Sequence, residues 1–199
     1  MAITKVSNSG IKTGVLKYDS FLAGNTAYFP TSFESIATVT VGSGGASSVE
    51  FTSIPATYSH LQIRAICQTS SGGQFVKMQF NNDTTLANYR AHISYGYGSG
   101  SASSDYGNNY TLLVWANNTG SVANTFAGAV IDILDYANTN KYKTTRSLDG
   151  YETNSAGTIA LTSGLWMNTS AISSIKFLGY SGNPIQYSQF ALYGIKAAS

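Results

Sequence analysis

The sequence predicts an all-β protein, a two-sheet antiparallel β-sandwich of jelly-roll type. Apolar and polar residues alternate in twos from Ser35 onward, turn signals recur at short spacing, and helical periodicity is nearly absent. Charged residues make up only 10% of the chain, so serine, threonine, asparagine and glycine must provide most of the polar surface. That composition suits many short strands joined by turns.

The expected strands follow one another without intervening helices. The first two, 35–41 and 47–54, flank a glycine-rich break and have the composition of a hairpin. A near-continuous apolar centre over 125–137 is typical of a central strand. The other expected strands are 61–69, 74–80, 89–97, 110–116, 142–151, 158–167, 172–180 and 186–196. Roughly ten or eleven strands at this spacing are typical of a sandwich.

The first 33 residues have scattered apolar side chains and no sustained period. Ordering them costs on the order of 50 kcal/mol, and offsetting that cost would require about 2,000 Å² of apolar burial. The sequence therefore predicts an extended anchoring arm over 1–33 and a β-sandwich domain over 34–199. The arm is expected to dock on a neighbouring subunit or another protein. Its candidate anchoring residues are Ile11, Val15, Leu16, Tyr18, Phe21 and Leu22.

The stretch YGYGSGSASSDYGNNY, residues 95–110, is predicted to be an exposed loop. Its glycines do not open a helix, so they do not form a phosphate-binding turn. Tyrosine, serine, glycine and asparagine together are typical of contact loops, where tyrosine provides rigid amphipathic area. An idle surface loop is the alternative. The candidate contact residues are Tyr95, Tyr97, Tyr106, Asn109 and Tyr110.

The carboxylates do not form an evident acid/base pair. Asp132 and Asp135 lie three residues apart, so a strand places them on opposite faces and a strand-end ion pair is the simpler interpretation. Asp149 precedes a glycine, foremost a turn signal, and cation binding by Asp149 and Glu152 stays open. With two histidines and one cysteine, a zinc site is not expected. The sequence thus predicts no enzyme, cofactor or metal, and a buried structural thiol at Cys67.

The charge pattern and hydropathy exclude other partner classes. A net charge of +2 without a basic cluster predicts no nucleic-acid binding. No apolar run reaches the length of a membrane span, and the N-terminus lacks a signal-peptide pattern, so folding in a reducing cytoplasm is expected. Trp115 and Trp166 lie in apolar strand runs and are expected to be buried.

Several segments of the sequence resemble those of one protein family. The most specific are IDILDYANTNKYKT at 131–144 and FALYGIK at 190–196, and KYDSFLAGNTAYFP at 17–30 resembles the lead-in of such proteins. Over about residues 33–196 the chain resembles virion proteins of tailed bacteriophages from aquatic environments, described as tail-fibre, minor tail or structural proteins. The resemblance implies a virion component without catalytic activity, often multimeric.

These observations lead to three alternatives for the function. The first is a tail appendage, a short fibre or receptor-binding module anchored by its arm and assembled in the host cytoplasm. The second is a capsid decoration or head-fibre protein, and the third, a virion hydrolase, is weakest because no acid/base constellation is evident. The expected partners are copies of itself in a homotrimer, other virion proteins through the arm, and a host surface glycan or outer-membrane protein.

Overall fold

The computed structural model describes residues 32–70, 75–98, 101–108, 112–118, 122–153 and 156–196. Within them only the backbone is described for 101–108, 112, 113, 115 and 118. The predicted arm, with all six candidate anchoring residues, lies outside the described residues except for Ser32 and Phe33.

Thirteen strands follow one another along the described chain, and a single short 3₁₀ turn at Leu86–Asn88 is the helical element within it. The strands are β1 (Phe33–Thr40), β2 (Ser48–Phe51), β3 (His60–Thr69), β4 (Phe75–Phe80), β5 (Tyr89–Tyr97), β6 (Ser101–Asn108), β7 (Leu112–Trp115), β8 (Asn117–Asn118), β9 (Ala127–Leu134), β10 (Lys143–Glu152), β11 (Gly157–Trp166), β12 (Ile175–Gly179) and β13 (Gln189–Ile195). The predicted all-β class is confirmed.

The strands form two antiparallel sheets. The large sheet has the order β1-β13-β3-β9-β10-β11-β5-β6, with β8 parallel to the end of β3, and the small sheet has the order β2-β12-β4-β7. The predicted two-sheet sandwich is therefore confirmed. Strand β9, at residues predicted to form a central strand, lies between β3 and β10 in the middle of the large sheet.

The predicted hairpin between 35–41 and 47–54 is wrong. Strand β1 pairs with β13 in the large sheet, whereas β2 pairs with β12 in the small sheet. The glycine-rich break carries the chain from one sheet to the other, with Gly44 and Gly45 at φ values of 96° and 76°. The Ala46 N–H donates to the Pro184 carbonyl at 2.9 Å, which ties this crossing to the segment before β13. The true partners of both strands are thus near the C-terminus.

The tyrosine-rich stretch 95–110 is not a loop as predicted. Strands β5 and β6 form an antiparallel hairpin in which Tyr97 pairs with Ser101 and Arg90 with Asn108. The alternation of tyrosine with glycine at 95–98 is a strand period, and Gly98, with a φ of 59°, begins the turn. Glycine and serine are common in loops, but a paired edge strand tolerates both.

The core lies between the two sheets. Its largest members include Trp166, which is 1% exposed, and the rings of Phe177 and Phe190, whose centroids are 4.8 Å apart. The prediction for Trp166 is confirmed, while the Trp115 side chain lies outside the described part. Cys67 is buried as predicted, and burial raises its thiol pKa to about 12 against the opposing hydrogen bond to Ser188.

Candidate interaction surface

The outer face of the large sheet, turned away from the small sheet, carries two adjacent rows of side chains that cross β3, β9, β10, β11 and β5. Strand register sets each row, because directly paired residues point to the same side of a sheet. The ridge row consists of Arg64, Val130, Leu148, Leu161 and Ser94. The glycine row consists of Ile66, Gly128, Gly150, Ile159 and Gly96.

Five aliphatic side chains in these rows form what we call the outer apolar patch. Its members are each between 40% and 64% exposed, and they are Ile66, Val130, Leu148, Ile159 and Leu161. Completing the burial of one such half-exposed side chain is worth roughly 1 kcal/mol. A contiguous apolar surface of this kind on a soluble protein is typical of an interaction site.

The glycine row makes a groove beside the ridge row, with a volume of about 910 Å³. A side chain at Gly150 would clash with the Thr158 carbonyl oxygen, so glycine is required there for the close approach of β10 and β11. At Gly128 a Cβ would meet no atom within 4 Å, so the missing side chain leaves open space. The outer apolar patch is therefore a ridge with an adjoining trough.

A polar row borders the ridge row on the side away from the glycines. The Gln62 amide donates to Asp132 Oδ1 at 2.8 Å, and Arg146 donates to Ser163 Oγ at 2.7 Å. His92 belongs to the same row. It lies on the outer face of β5, which it shares with Arg90. These cross-strand polar contacts are those of a solvated sheet surface, which makes the apolar rows beside them distinct.

The inner face of β10 and β11 is unusually polar for a sandwich interior. Its buried polar side chains are Thr145, Ser147, Asp149, Thr158 and Thr162. Ser147 Oγ donates to Asp149 Oδ1 at 2.8 Å. Among the described residues, Thr162 Oγ1 is the one buried side-chain oxygen or nitrogen without a hydrogen-bond partner. The inner face of these two strands is thus largely polar, although Ala160 and Trp166 of β11 are also buried there.

Sequence reasoning missed the outer apolar patch for this reason. Alternation divides a strand into two faces but does not state which face is buried, and aliphatic residues are assigned inward by default. The available signal was in β10 and β11 themselves, where one parity holds threonine, serine and aspartate and the other holds Leu148, Ile159 and Leu161.

The predicted contact residues are placed only in part. Tyr95 and Tyr97 lie on one face of β5, with ring centroids 5.8 Å apart and an interplanar angle of 24°. Tyr97 is 53% exposed, so about half of this residue is open to solvent. The backbone register places Tyr106 opposite His92, and Asn109 and Tyr110 lie outside the described residues. The two tyrosines share the inner-face parity of β5, so they are not part of the outer apolar patch.

The structure separates the carboxylates considered as a pair. Asp132 lies within β9, whereas Asp135 follows the strand and contacts Lys141 and His60. The Lys141 hydrogen bond is the main cause that lowers the pKa of Asp135. The interpretation as a strand-end ion pair is confirmed.

Asp149 and Glu152 do not converge on a common site either. Asp149 is buried on the inner face of β10, while Glu152 lies on the outer face of the same strand. The Asp149–Gly150 dipeptide lies inside this strand, so the turn expected there is wrong. Across the described ranges, no group of three or more histidine, cysteine, aspartate or glutamate residues is arranged to hold a metal ion.

Lys143 carries the one fully buried ammonium among the described lysines. Its Nζ donates to the carbonyls of Asn138, Lys141 and Thr169 at 2.6, 2.9 and 3.0 Å. Burial, with a smaller contribution from the Lys141 charge, lowers its pKa. Three acceptors match the three donors of an ammonium, so this residue fastens the β9–β10 connection to the segment after β11.

Comparison with models of known protein families and with curated proteins found no match for the chain. Within the part of the chain that the structure describes, no helix has the length and apolar character needed to cross a membrane.

Proposed function

We propose that the chain is a non-enzymatic structural protein of a tailed-phage virion, and that within the virion it is a tail appendage, a short fibre or receptor-binding module. The observation that carries the proposal is the outer apolar patch, because a surface of this kind is stabilised by a protein partner. The resemblance of residues 33–196 to tailed-phage virion proteins supports the proposed location in a virion. The residues 1–33 are the proposed anchor to other virion proteins.

We also infer a jelly-roll winding for the sandwich. Eight strands pair in a nested order, first with last: β1 with β13, β2 with β12, β3 with β9, and β4 with β7. Taken from the outermost pair to the innermost, these four pairs alternate between the large and the small sheet. Rolling one long antiparallel hairpin into two sheets produces this nesting, and jelly rolls are common in viral capsid and lectin domains.

The tyrosine pair of β5 supports a host-contact role at one end of the sheet. Stacked aromatic rings bind the apolar faces of sugars at low entropic cost. Replacing Tyr97 with alanine should reduce adsorption of the assembled particle to host cells by about tenfold, equivalent to ~1.4 kcal/mol. The matched control is Tyr142→Ala, because Tyr142 is 51% exposed and directly precedes the opposite end of β10. Equal adsorption by both variants would remove the host-contact role.

A capsid decoration protein or head fibre is the second candidate. The large sheet favours it, because a broad sheet face with an apolar surface suits docking flat on a shell. The two candidates differ in where the protein lies on the particle and in whether Tyr97 matters for adsorption.

Immunogold labelling of purified particles tests the proposal. Antibody against the full chain should label the tail of intact particles. Labelling confined to the head would select the decoration alternative. Antigen found only in the soluble fraction of the lysate, with unlabelled particles, would overturn a virion role altogether.

A further inference from the structure

We propose that the outer apolar patch is covered by the same patch of a second copy of this chain, in a face-to-face pair with two-fold symmetry in place of the homotrimer expected from the sequence. This pairing rests on the proposed function, because it names the partner that binds the outer apolar patch. Self-association in solution and location on a particle are separate measurements, so either can fail without the other.

About a two-fold axis the patch brings a ridge residue over a glycine at β9, β10 and β5, while Leu161 meets Ile159 at β11 and Arg64 meets Ile66 at β3. Consider an axis that runs across the strands, in the plane between two facing sheets and between the ridge row and the glycine row. This axis places each ridge row over the glycine row of the other copy. Leu148 then faces Gly150, and Val130 faces Gly128, where the structure shows open space. Two facing sheets with nearly aligned strands, about 10 Å apart, are a common packing arrangement.

The same axis brings opposite charges together at the edges of the patch. On β10, Arg146 lies two residues from Leu148 on one side, and Glu152 lies two residues from Gly150 on the other. The axis that exchanges Leu148 with Gly150 therefore exchanges Arg146 with Glu152. Each pair of copies would contain two such contacts, and charge complementarity of this kind fixes the register of an interface.

The area of the face suits a stable pair. Neighbouring strands are about 4.8 Å apart and same-face residues along a strand about 6.7 Å apart. Five strands and about five rows then give a face of roughly 800 Å², similar to the ~800 Å² that each partner contributes to a standard interface.

The arm is a less suitable occupant on grounds of charge. Residues 1–31 contain three lysines, Lys5, Lys12 and Lys17, and a single acidic residue, Asp19. The ridge row and its polar border carry Arg64 and Arg146 with the single carboxylate Asp132, so a basic segment would approach a net positive charge there. A second copy brings both signs of charge and is favoured.

The first test measures the mass of the full-length protein by sedimentation equilibrium over a range of concentrations. The parent should dimerise, and Leu148→Arg should raise the dimer dissociation constant at least about 100-fold. The control is Leu86→Arg, because Leu86 is similarly exposed, 50% against 55%, but lies outside the patch. Gly128→Arg is a second blocking variant, since a side chain there enters open space, and melting temperatures check that each variant is folded.

The second test reverses the charges. Arg146→Glu and Glu152→Arg should each weaken the dimer about tenfold, while the double variant should return to within about threefold of the parent. A monomeric parent, a dimer that survives both Leu148→Arg and Gly128→Arg, or a trimer would overturn the two-fold pair. Failure of the double variant to recover would overturn the proposed register.

Discussion

Two parts of one sheet differ in how much of their inner face is apolar. In β3 and β9 the inner face is aliphatic, with Leu61, Ile63, Ile131 and Ile133 at most 1% exposed. Their outer face combines polar residues with Ile66 and Val130 of the outer apolar patch. In β10 and β11 the inner face holds buried hydroxyls and a carboxylate, and the outer face holds Leu148, Ile159 and Leu161. Both halves alternate equally well along the strand. The difference therefore lies in what each face contacts.

The comparison separates burial within the chain from burial by a partner. The inner aliphatic side chains of β3 and β9 are already buried in the core, so their hydrophobic stabilisation is gained on folding. The outer aliphatic side chains of β10 and β11 stay half exposed in the single chain. Most of the hydrophobic stabilisation from burying them is therefore still available for association. This interpretation predicts different responses to equivalent substitutions.

The largest difference is expected from matched aliphatic truncations. Ile131→Ala in the first half should lower the free energy of unfolding by about 2–5 kcal/mol, because it leaves a cavity in the core. Leu161→Ala in the second half should cost less than about 1 kcal/mol in dilute protein, since its side chain is largely solvated. Urea denaturation of both variants measures this contrast. Equal losses would show that the outer leucine is part of a core.

A second contrast uses two glycines of the same row. Gly150→Ala should destabilise the chain by about 1–3 kcal/mol or prevent folding, because the new methyl group meets the backbone carbonyl of Thr158. Gly128→Ala should be neutral or stabilise by about 0.4–1 kcal/mol, because the site is open and the unfolded chain loses freedom. Melting temperatures compare the two, and a costly Gly128→Ala would contradict the open trough.

The sequence predicts the sandwich well and its connections poorly. Alternation is a local property, so strand positions and the central place of β9 could be read directly. Pairing partners are set by contacts between distant segments, which explains why β1 and β2 were expected to form a hairpin although each pairs near the C-terminus. The prediction of a loop at 95–110 was wrong because a sheet edge rich in glycine and serine resembles a loop in composition.

The candidate surface was less predictable than the fold. Tyr95 and Tyr97 were found from composition, and the structure shows that they stack. The outer apolar patch depends on which parity of β10 and β11 faces inward. Register with β9 and β5 sets that parity, and alternation within a strand does not state it.

A smaller effect concerns Asp83, whose hydrogen bonds connect β11 to the turn after β4. Trp166 Nε1 and Asn88 Nδ2 donate to Asp83 Oδ2 at 2.8 and 2.7 Å. Burial alone would raise the pKa of Asp83, but hydrogen bonds from Asn88, Trp166 and Thr85 outweigh it and lower the pKa below its ordinary 3.8. A carboxyl with a lowered folded-state pKa stabilises the fold above its unfolded pKa, and that contribution is lost as pH falls through the folded value.

Asp83→Asn should therefore lower the free energy of unfolding by about 1–2 kcal/mol at neutral pH. The gap from the parent should shrink in acid below pH 3.8, where the parent carboxylate becomes protonated as well. Denaturation followed by tryptophan fluorescence at several pH values measures the gap. A gap that stays constant with pH would show that the charge is not involved.

The smallest effect is expected at the buried hydroxyls of β10 and β11. Thr162→Val should stabilise the chain by about 0.5–1 kcal/mol, because it removes a buried oxygen that has no partner among the described residues. Ser147→Ala should destabilise it by about 1 kcal/mol, because it removes the hydrogen bond to Asp149. Thermal unfolding of both variants distinguishes an unsatisfied hydroxyl from a satisfied one, and a destabilised Thr162→Val would mean that this oxygen has a partner.

Thiol labelling at the patch tests most directly whether a partner copy covers the outer face of β10 and β11. Background labelling of the parent protein should be low, because Cys67 is the single cysteine of the chain and its burial raises its pKa to about 12. In full-length Leu148→Cys protein, the labelling rate should fall at least about tenfold from dilute to concentrated solution, as a second copy covers residue 148. Leu86→Cys should label at one rate throughout. A rate at Leu148→Cys that does not change with concentration would contradict the account.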